Sequence, residues 1–256
     1  MRAVDRIYRR DLPVRVDVED LLQREACYRV IEGAEAVVHL ANHTTPRARA
    51  AQTVFNENVT TNMNVFQAAR ETGVRKIVFA SSIQVCTGSW PFAQPGAAPF
   101  ALPYLPLDGD APAQPANPYA LSKHCSEAVL AYQARLTSVS CVAVRFPGLL
   151  ADAVRPWIAK NREAWNADGA PEAFAFLSMS DAATLIGAIL AADLPGFRIY
   201  LPAARANRLG LPAADVIRAH YPNVPLRRPL EAIDSLVDVS RITRETGWTP
   251  AADTLP

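Results

Sequence analysis

The chain has 256 residues, half of them apolar, and a formal net charge of +1, an ordinary globular composition with enough apolar material for a sizeable core. The near-neutral balance, with no basic run beyond Arg9-Arg10 and Arg227-Arg228, excludes an electrostatic case for nucleic acid or an anionic membrane surface. Cys27, Cys86, Cys125 and Cys141 lack C-x-x-C spacing and a histidine cluster, and no apolar run approaches a membrane span, so the expectation is a cytoplasmic protein with reduced thiols, no metal site and no signal peptide.

In chain order, residues 2–6 read as a short strand that begins without a preceding turn or helix. Residues 12–18 alternate apolar and polar as a second strand, and residues 21–32 follow as an amphipathic helix closed at Gly33. Residues 36–41 form a short apolar run, as expected of a strand buried on both faces of a parallel sheet, with His39 a satisfied strand residue. A long helix over 52–72, ended at Gly73, leads to another buried strand over 76–80. Strand, helix, strand, helix in this order predicts a doubly wound α/β sheet. In such sheets the ligand lies beyond the carboxyl ends of the strands, so Ala41-Asn42-His43 and Ser81-Ser82-Ile83-Gln84 fall where chemistry is expected. Asn58, inside the long helix, either reaches back toward that edge or is solvated.

Residues 90–116 hold Pro91, Pro95, Pro99, Pro103, Pro106, Pro112 and Pro115 among the aromatics Trp90, Phe92, Phe100 and Tyr104. Neither a helix nor a sheet interior tolerates that proline spacing. A loop of this length with this aromatic content is expected to be a flap over a substrate pocket, the alternative being a tolerated surface insertion.

Asn117-Pro118-Tyr119-Ala120-Leu121-Ser122-Lys123 then reads as a helix start. Asn117 suits the cap and Pro118 the first helical position, which puts Tyr119 in the first turn and Lys123 on the same face one turn later. Tyr and Lys at this spacing are either a surface pair or a proton-transfer device. In the second case the ammonium is expected to lower the phenol pKa by roughly 1–3 units, toward the range of a general base.

The helix is expected to run to about Arg135, followed by a strand over 140–146 stopped at Pro147-Gly148. Beyond it the pattern breaks into shorter pieces: a helix over 154–165 with Trp157 and Trp165 as packing residues, a helix over 182–192 capped by Ser180-Asp181, a strand over 198–201, and a helix over 212–220. Asp238-Val239-Ser240 then caps residues 241–246 before Gly247-Trp248-Thr249-Pro250.

Tyr119-x-x-x-Lys123, the strand His39-Leu40-Ala41, the strand end Phe79-Ala80-Ser81-Ser82 and the late Gly247-Trp248-x-Pro250, in this order, resemble the extended short-chain dehydrogenase/reductases. More narrowly, the chain is similar to the NAD-dependent epimerase/dehydratase family over about residues 2–250. The resemblance implies a Rossmann-like dinucleotide-binding domain over 1–147 and a smaller substrate lobe over 148–256, with 180–201 packing back on the sheet. It implies Tyr119 as general acid/base, Lys123 as the group that lowers its pKa and holds the nicotinamide ribose, and Ser82 as the donor to the reacting oxygen. It further places Asp17 and Val18 by the adenine, Leu40 and Ala41 along the cofactor, and Asp5 at the ribose hydroxyls. An acid at Asp5 favours NAD, and Arg6 beside it keeps NADP in play. The substrate is then a sugar, nucleotide sugar or similar hydroxyl or carbonyl compound, and the family often pairs as a homodimer through the tyrosine-bearing helix.

Three departures accompany the resemblance. The family's first strand and its Gly-x-x-Gly-x-x-Gly turn would precede Arg2, so Met1 is expected to lie downstream of the true start, a truncated copy being the alternative. In strand order 3-2-1-4-5-6 that first strand is central, and without it the strands ending at Asp5 and Asp17 are separated from the one ending at Ala41. Cys86, in Val85-Cys86-Thr87-Gly88, stands where the family often has Tyr, and Pro147 where nucleotide-sugar epimerases commonly carry Asn. Both put a UDP-sugar substrate in doubt. The competing reading is a non-catalytic member that keeps the fold: a nucleotide-sensing or scaffold protein, or an inactive fragment.

Overall fold

The computed structural model describes residues 1–8, 12–45, 47–87 and 101–251. Strands β1 (Ala3–Asp5) and β2 (Val16–Val18) lead into helix α1 (Arg24–Ile31), then β3 (Ala36–His39), α2 (Ala51–Glu71) and β4 (Lys76–Ser82). A short helix α3 (Gln84–Thr87), then α4 (Pro118–Leu136) and β5 (Ser140–Phe146), complete the first half. The second half holds β6 (Gly148–Leu150), α5 (Arg155–Lys160), α6 (Arg162–Asn166), β7 (Phe176–Ser178), α7 (Met179–Ala191), β8 (Phe197–Tyr200), α8 (Ala213–His220) and α9 (Ser240–Thr246).

The main sheet runs β3-β4-β5-β8, every pair parallel. Its side chains alternate between two apolar layers, as the period of a strand requires. Ile77, Phe79, Cys141 and Ala143 pack with Val65, Phe66 and Leu130 of α2 and α4 on one face. Val78, Val142 and Val144 pack with Leu185, Ile189, Ile242 and Trp248 of the α7–α9 side on the other. A parallel sheet covered by helices on both faces is the doubly wound α/β architecture.

β1 and β2 form a separate parallel pair with Val4 opposite Asp17, and neither pairs with β3. The separation is the one expected of strands ending at Asp5 and Asp17. Glu19 donates its N–H to the Asp5 carbonyl on the β2 side at 3.0 Å, so the alternation of a parallel strand turns the backbone groups of Val4 the other way. Arg75 donates to the Glu35 carbonyl at 2.9 Å, which by the same alternation turns Ala36 and Val38 away from β4. Between these two free edges lies a largely apolar cleft of about 970 Å³, lined by Val4, Ile31, Val38, Leu40, Ile186 and Leu190 among others. Helices carry the connection across it: Arg2 Nη1 donates to the Val30 carbonyl at 3.0 Å, and Asn64 Nδ2 to the Leu21 and Leu22 carbonyls at 3.1 Å each.

Several expectations are corrected. β2 begins only at Val16, opposite Ala3, the first residue of β1. The single helix expected over 154–165 is two, α5 and α6, broken at Asn161, whose Nδ2 bonds the Trp157 carbonyl at 2.9 Å. Trp165 packs edge-on to Phe176, whereas Trp157 is half exposed. The cap of α7 is Ser178, which accepts from the Asp181 N–H at 3.0 Å, with Ser180-Asp181 inside the first turn.

Of the proline-rich stretch, residues 90–100 lie outside the described residues. Residues 101–116 are not a flap but a strap through an apolar cluster built with residues 173–237. Leu105 and Leu107 are 0% exposed and pack in one cluster with Leu201, Val216, Ile217 and Val237. Leu105 exchanges backbone hydrogen bonds of 2.9 Å with Pro225 and Arg227, and Leu107 bonds Leu236 and Asp238 at 2.9 and 2.7 Å. At Gly109 the strap lies so close to β8 that a Cβ would fall 2.2 Å from the Ile199 carbonyl oxygen, which is why the position takes glycine. Among the described residues, no helix is long and apolar enough to cross a membrane.

Candidate active site

The amino end of α4 is built by local chemistry. Asn117 is extended, its Oδ1 accepts from the Ala120 N–H at 2.8 Å, and Pro118 opens the helix. Asn117 also donates through Nδ2 to Gln84 Oε1 at 3.3 Å, tying the helix start to the segment after β4. Tyr119 therefore points inward and is only 7% exposed, beside Ser82 at the carboxyl end of β4. The Ser82 hydroxyl accepts the Gln84 N–H at 3.2 Å and lies near enough to the Tyr119 phenol to favour its ionised form.

Lys123 lies one turn further on, 3% exposed, with Nζ 5.6 Å from the centre of the Tyr119 ring and 4.8 Å from that of Phe79. It donates to Asn42 Oδ1 and to the Ala80 carbonyl, each at 2.7 Å. Burial pulls its pKa down to about 7, against the opposing charge of Glu127. The expected lowering of the tyrosine is not what the structure gives. Burial pushes the Tyr119 phenol up to about 12, with the Ser82 hydroxyl working against burial and the Glu172 charge adding to it. A phenol in an apolar wall loses the water that would solvate its anion, and the ammonium meant to replace that water bonds Asn42 and Ala80.

A polar network underlies this pair. Asn42 Nδ2 donates to Asn62 Oδ1 at 2.7 Å, the same oxygen is 2.7 Å from His39 Nε2, and Asn62 Nδ2 donates to Ser126 Oγ at 2.7 Å. Burial lowers the His39 pKa to about 4, so this strand histidine is neutral. Asn58 is not solvated: it accepts the His43 N–H at 2.8 Å and donates to Ser122 Oγ at 3.1 Å, joining the loop after β3 to α4. Below Ser82, Glu127 takes both Arg145 Nε and Nη2 at 2.9 and 2.8 Å and the Ser81 hydroxyl at 2.6 Å, while Arg145 Nη1 holds the Ala111 carbonyl of the strap at 2.7 Å. Burial raises the Glu127 pKa, and Arg145, His124 and Ser81 together bring it below the ordinary carboxylate value. Glu127 follows Lys123 by four residues on the same helix face, a spacing visible in the sequence; its partner Arg145 and the strap contact were not.

The remaining candidates divide between the two sheets. Leu40 and Ala41 are exposed at the mouth of the cleft after β3. Asp5, at the end of β1, is exposed and accepts the Ile7 N–H at 3.0 Å. Asp17 is bracketed by Arg2 and Arg15 at 3.7 and 3.8 Å, and Val18 is 52% exposed. The partners the structure gives Asp5 and Asp17 are protein groups. Glu172 was not foreseen. This buried carboxyl, whose pKa is raised by burial against Arg208 and Gln84, lies close enough for its charge to be felt by Tyr119. Ala173 and Phe174, which follow it, both have positive φ (54° and 50°), strain of the kind that collects at functional sites. Cys86 is fully buried, with its thiol pushed up to about 12 by burial, and is a packing residue.

In a parallel α/β sheet ligands lie beyond the carboxyl ends of the strands, and Ser82, Tyr119 and Lys123 come together at that end of β4. The profile of the NAD dependent epimerase/dehydratase family matches residues 3–153, more than half of the chain, and the chain belongs to that family. It is 25% identical over 130 residues to a uronate dehydrogenase of Pseudomonas syringae pv. tomato (51% of this chain, 42% of that protein). It is 28% identical over 124 residues to a putative UDP-glucose 4-epimerase of Methanocaldococcus jannaschii (48% and 37%). The matched stretch thus spans less than half the length of these curated relatives. Among solved structures, an Agrobacterium tumefaciens short-chain dehydrogenase/reductase superfamily protein with bound NAD superposes with TM-score 0.65 at 19% identity, covering 98% of this chain and 85% of that one. A UDP-glucose 4-epimerase with UDP-glucose from Thermotoga maritima gives 0.65 at 15% identity, covering 94% and 80%. At these identities the likeness is one of fold.

Proposed function

We propose that the chain is an NAD(P)-dependent oxidoreductase or epimerase-type enzyme acting on a hydroxyl or carbonyl of a sugar or nucleotide sugar. The observation that carries this reading is the pairing of two buried hydroxyls, Ser82 and Tyr119, with an ammonium one helical turn behind. Ser82 and Tyr119 flank one substrate oxygen; Ser82 donates to it while Tyr119 Oη takes or returns its proton. Lys123 stands one turn behind the phenol with its ammonium on Asn42 and Ala80. An ammonium has three N–H donors, and with two on Asn42 and Ala80 one remains for a ribose hydroxyl.

The residues fit the ribose and nicotinamide end of a dinucleotide better than its phosphates. Lys123, Leu40 and Ala41 would hold that end, with Asp5 or Asp17 and Val18 at the adenosine, whereas the cleft lining is mostly apolar. When bound, the nicotinamide supplies the hydride acceptor. Asp5 favours NAD, with NADP the alternative. Residues 148–256 supply the substrate lobe, and Glu172 and Arg208 bring its charge toward Tyr119. A homodimer would form through α2 and α4, whose outer faces expose Met63, Leu121, Tyr132 and Leu136, and light scattering reads its mass.

The test pairs NADH fluorescence titration with turnover of D-glucuronate and UDP-glucose. Tyr119→Phe is expected to cut turnover by about 10²–10⁴-fold while leaving NADH affinity unchanged. Turnover that survives this change sinks the assignment. The apolar cleft and the phenol held near 12 favour one second reading, a non-catalytic member of the family. Absence of both NADH binding and turnover would support it.

A further inference from the structure

We propose that Asn42 is a positioning residue for Lys123, locked by Asn62 so that its amide oxygen is held against the ammonium. The inference rests on reading Tyr119 and Lys123 as a proton-transfer pair, but its test does not depend on turnover. An asparagine side chain has an acceptor end and a donor end, and only the acceptor end suits an ammonium. Here the choice is fixed from behind. Asn42 Nδ2 donates to Asn62 Oδ1 at 2.7 Å and to the Ala41 carbonyl at 2.5 Å, so Oδ1 faces Lys123 Nζ at 2.7 Å.

Asn62 is fixed in turn. Its Oδ1 lies 2.7 Å from His39 Nε2, which must be the donor, and its Nδ2 donates to Ser126 Oγ at 2.7 Å. Ser126 donates onward to the Ser122 carbonyl at 2.8 Å. The chain of amides thus starts on the backbone of α4, passes through α2 and the loop after β3, and returns to a lysine of α4. Flipping any member would set donor against donor at the next.

The groups packed around Nζ make this oxygen matter. From β3 comes His39, neutral because burial holds its pKa near 4; from β4 come the Phe79 ring and the Ala80 carbonyl; α2 offers the neutral Asn58 and Asn62. From α4 come Tyr119, protonated at neutral pH, and Glu127, whose oxygens already hold Arg145 and Ser81. Among the described residues no carboxylate forms an ion pair with Lys123; its close contacts are two neutral oxygens, those of Asn42 and Ala80, and the charge of Glu127 opposes burial from further off.

Lysine occurs only three times in the chain, so ¹⁵N-lysine NMR of the ε-amines follows Lys123 directly, with Lys76→Arg and Lys160→Arg assigning the other two signals. The wild-type midpoint is expected near 7. Losing one charge-assisted hydrogen bond, Asn42→Ala should weaken proton binding by about tenfold or more. Asn42→Asp places a carboxylate at the same spot and should strengthen it by at least about tenfold. Asn62→Ala, which frees the Asn42 amide to turn, should give part of the alanine effect, with far-UV circular dichroism checking the fold of each variant. A merely structural role moves Ala and Asp variants in the same direction, and that result, or no movement in either, overturns the proposal. A lysine midpoint that shifts with these signs in a protein without turnover would instead retire the enzymatic reading and leave the positioning role standing.

Discussion

Replacing Lys123 by methionine removes a buried ammonium while keeping an unbranched side chain of similar length. Lys123 is 3% exposed, and burial brings its pKa from 10.5 to about 7. A base whose folded pKa is lowered binds its proton more weakly in the folded chain than in the unfolded one. The wild type therefore carries the whole penalty below about pH 7 and sheds it as pH rises from about 7 to 10.5. At about 1.36 kcal/mol per pH unit the gap is worth roughly 5 kcal/mol. Methionine leaves the oxygens of Asn42 and Ala80 without their donor, at a cost of about 1 kcal/mol each. Lys123→Met is thus expected to be about 3 kcal/mol more stable than wild type at pH 6, and less stable by up to about 2 kcal/mol near pH 10.5. Urea unfolding at pH 6, 7.5, 9 and 10 measures the difference. A stability change that does not vary with pH, or a variant already weaker at pH 6, refutes the linkage between burial and the lysine proton.

Arg145→Met strands the Glu127 carboxylate, 3% exposed, and is expected to cost about 3–5 kcal/mol in urea unfolding, whereas Glu127→Leu together with Arg145→Met costs less than the single change. Burial raises the Glu172 pKa, so the wild type loses stability as pH climbs from the unfolded carboxylate value through the folded one. Glu172→Gln, which cannot ionise, should melt at the same temperature as wild type near pH 4 and higher than wild type at pH 8. The amides of Val4, Ala36 and Val38, turned to the cleft, should exchange with deuterium orders of magnitude faster than those of Val78 and Val142 in the centre of the main sheet. Equal protection would mean that the two edges are paired in solution.

What the sequence made legible was local. Asn117 and Pro118 announce a helix start because a cap and a missing N–H act within one turn, and α4 begins where they put it. The apolar runs of β4 and β5 are legible because strands covered on both faces are apolar through their middles, whereas β3, expected over 36–41 as buried on both faces, ends at His39 and leaves Ala36, Leu40 and Ala41 exposed beside the cleft. The strap over 101–116 was misread because its burial rests on backbone bonds to residues more than a hundred positions away, while its prolines spoke for a loose flap. The tyrosine–lysine spacing was readable, but the direction of the phenol's shift was not. That direction depends on burial and on Asn42, 81 residues upstream, taking the ammonium that the spacing alone would aim at the phenol. Glu172 carried no signal at all, since nothing in its neighbourhood of sequence marks the fold-back that brings it to Tyr119.

The split sheet divides the candidate site into two parts of unequal firmness. Ser82, Tyr119 and Lys123 stand on β4 and α4, which pack with β5 and α2 in one buried apolar cluster. Asp5, Asp17 and Val18 ride on β1 and β2, where Val16 is the one buried residue of the two strands and the links to the rest run through α1. Local opening is cheapest where apolar burial is least, so the β1–β2 pair should detach at a lower free energy than the main sheet unfolds. Under the proposed function, changes in β1 or β2 would then act on cofactor affinity and leave the proton step intact, whereas changes around Asn42, Glu127 or Ser82 would act on the proton step itself. Under that function, a chain in which the Ser82, Tyr119 and Lys123 part is sound and the Asp5, Asp17 and Val18 part is weakly held would have its chemistry in place before its cofactor grip, and its affinity for the dinucleotide, more than its acid/base groups, would decide whether it turns over.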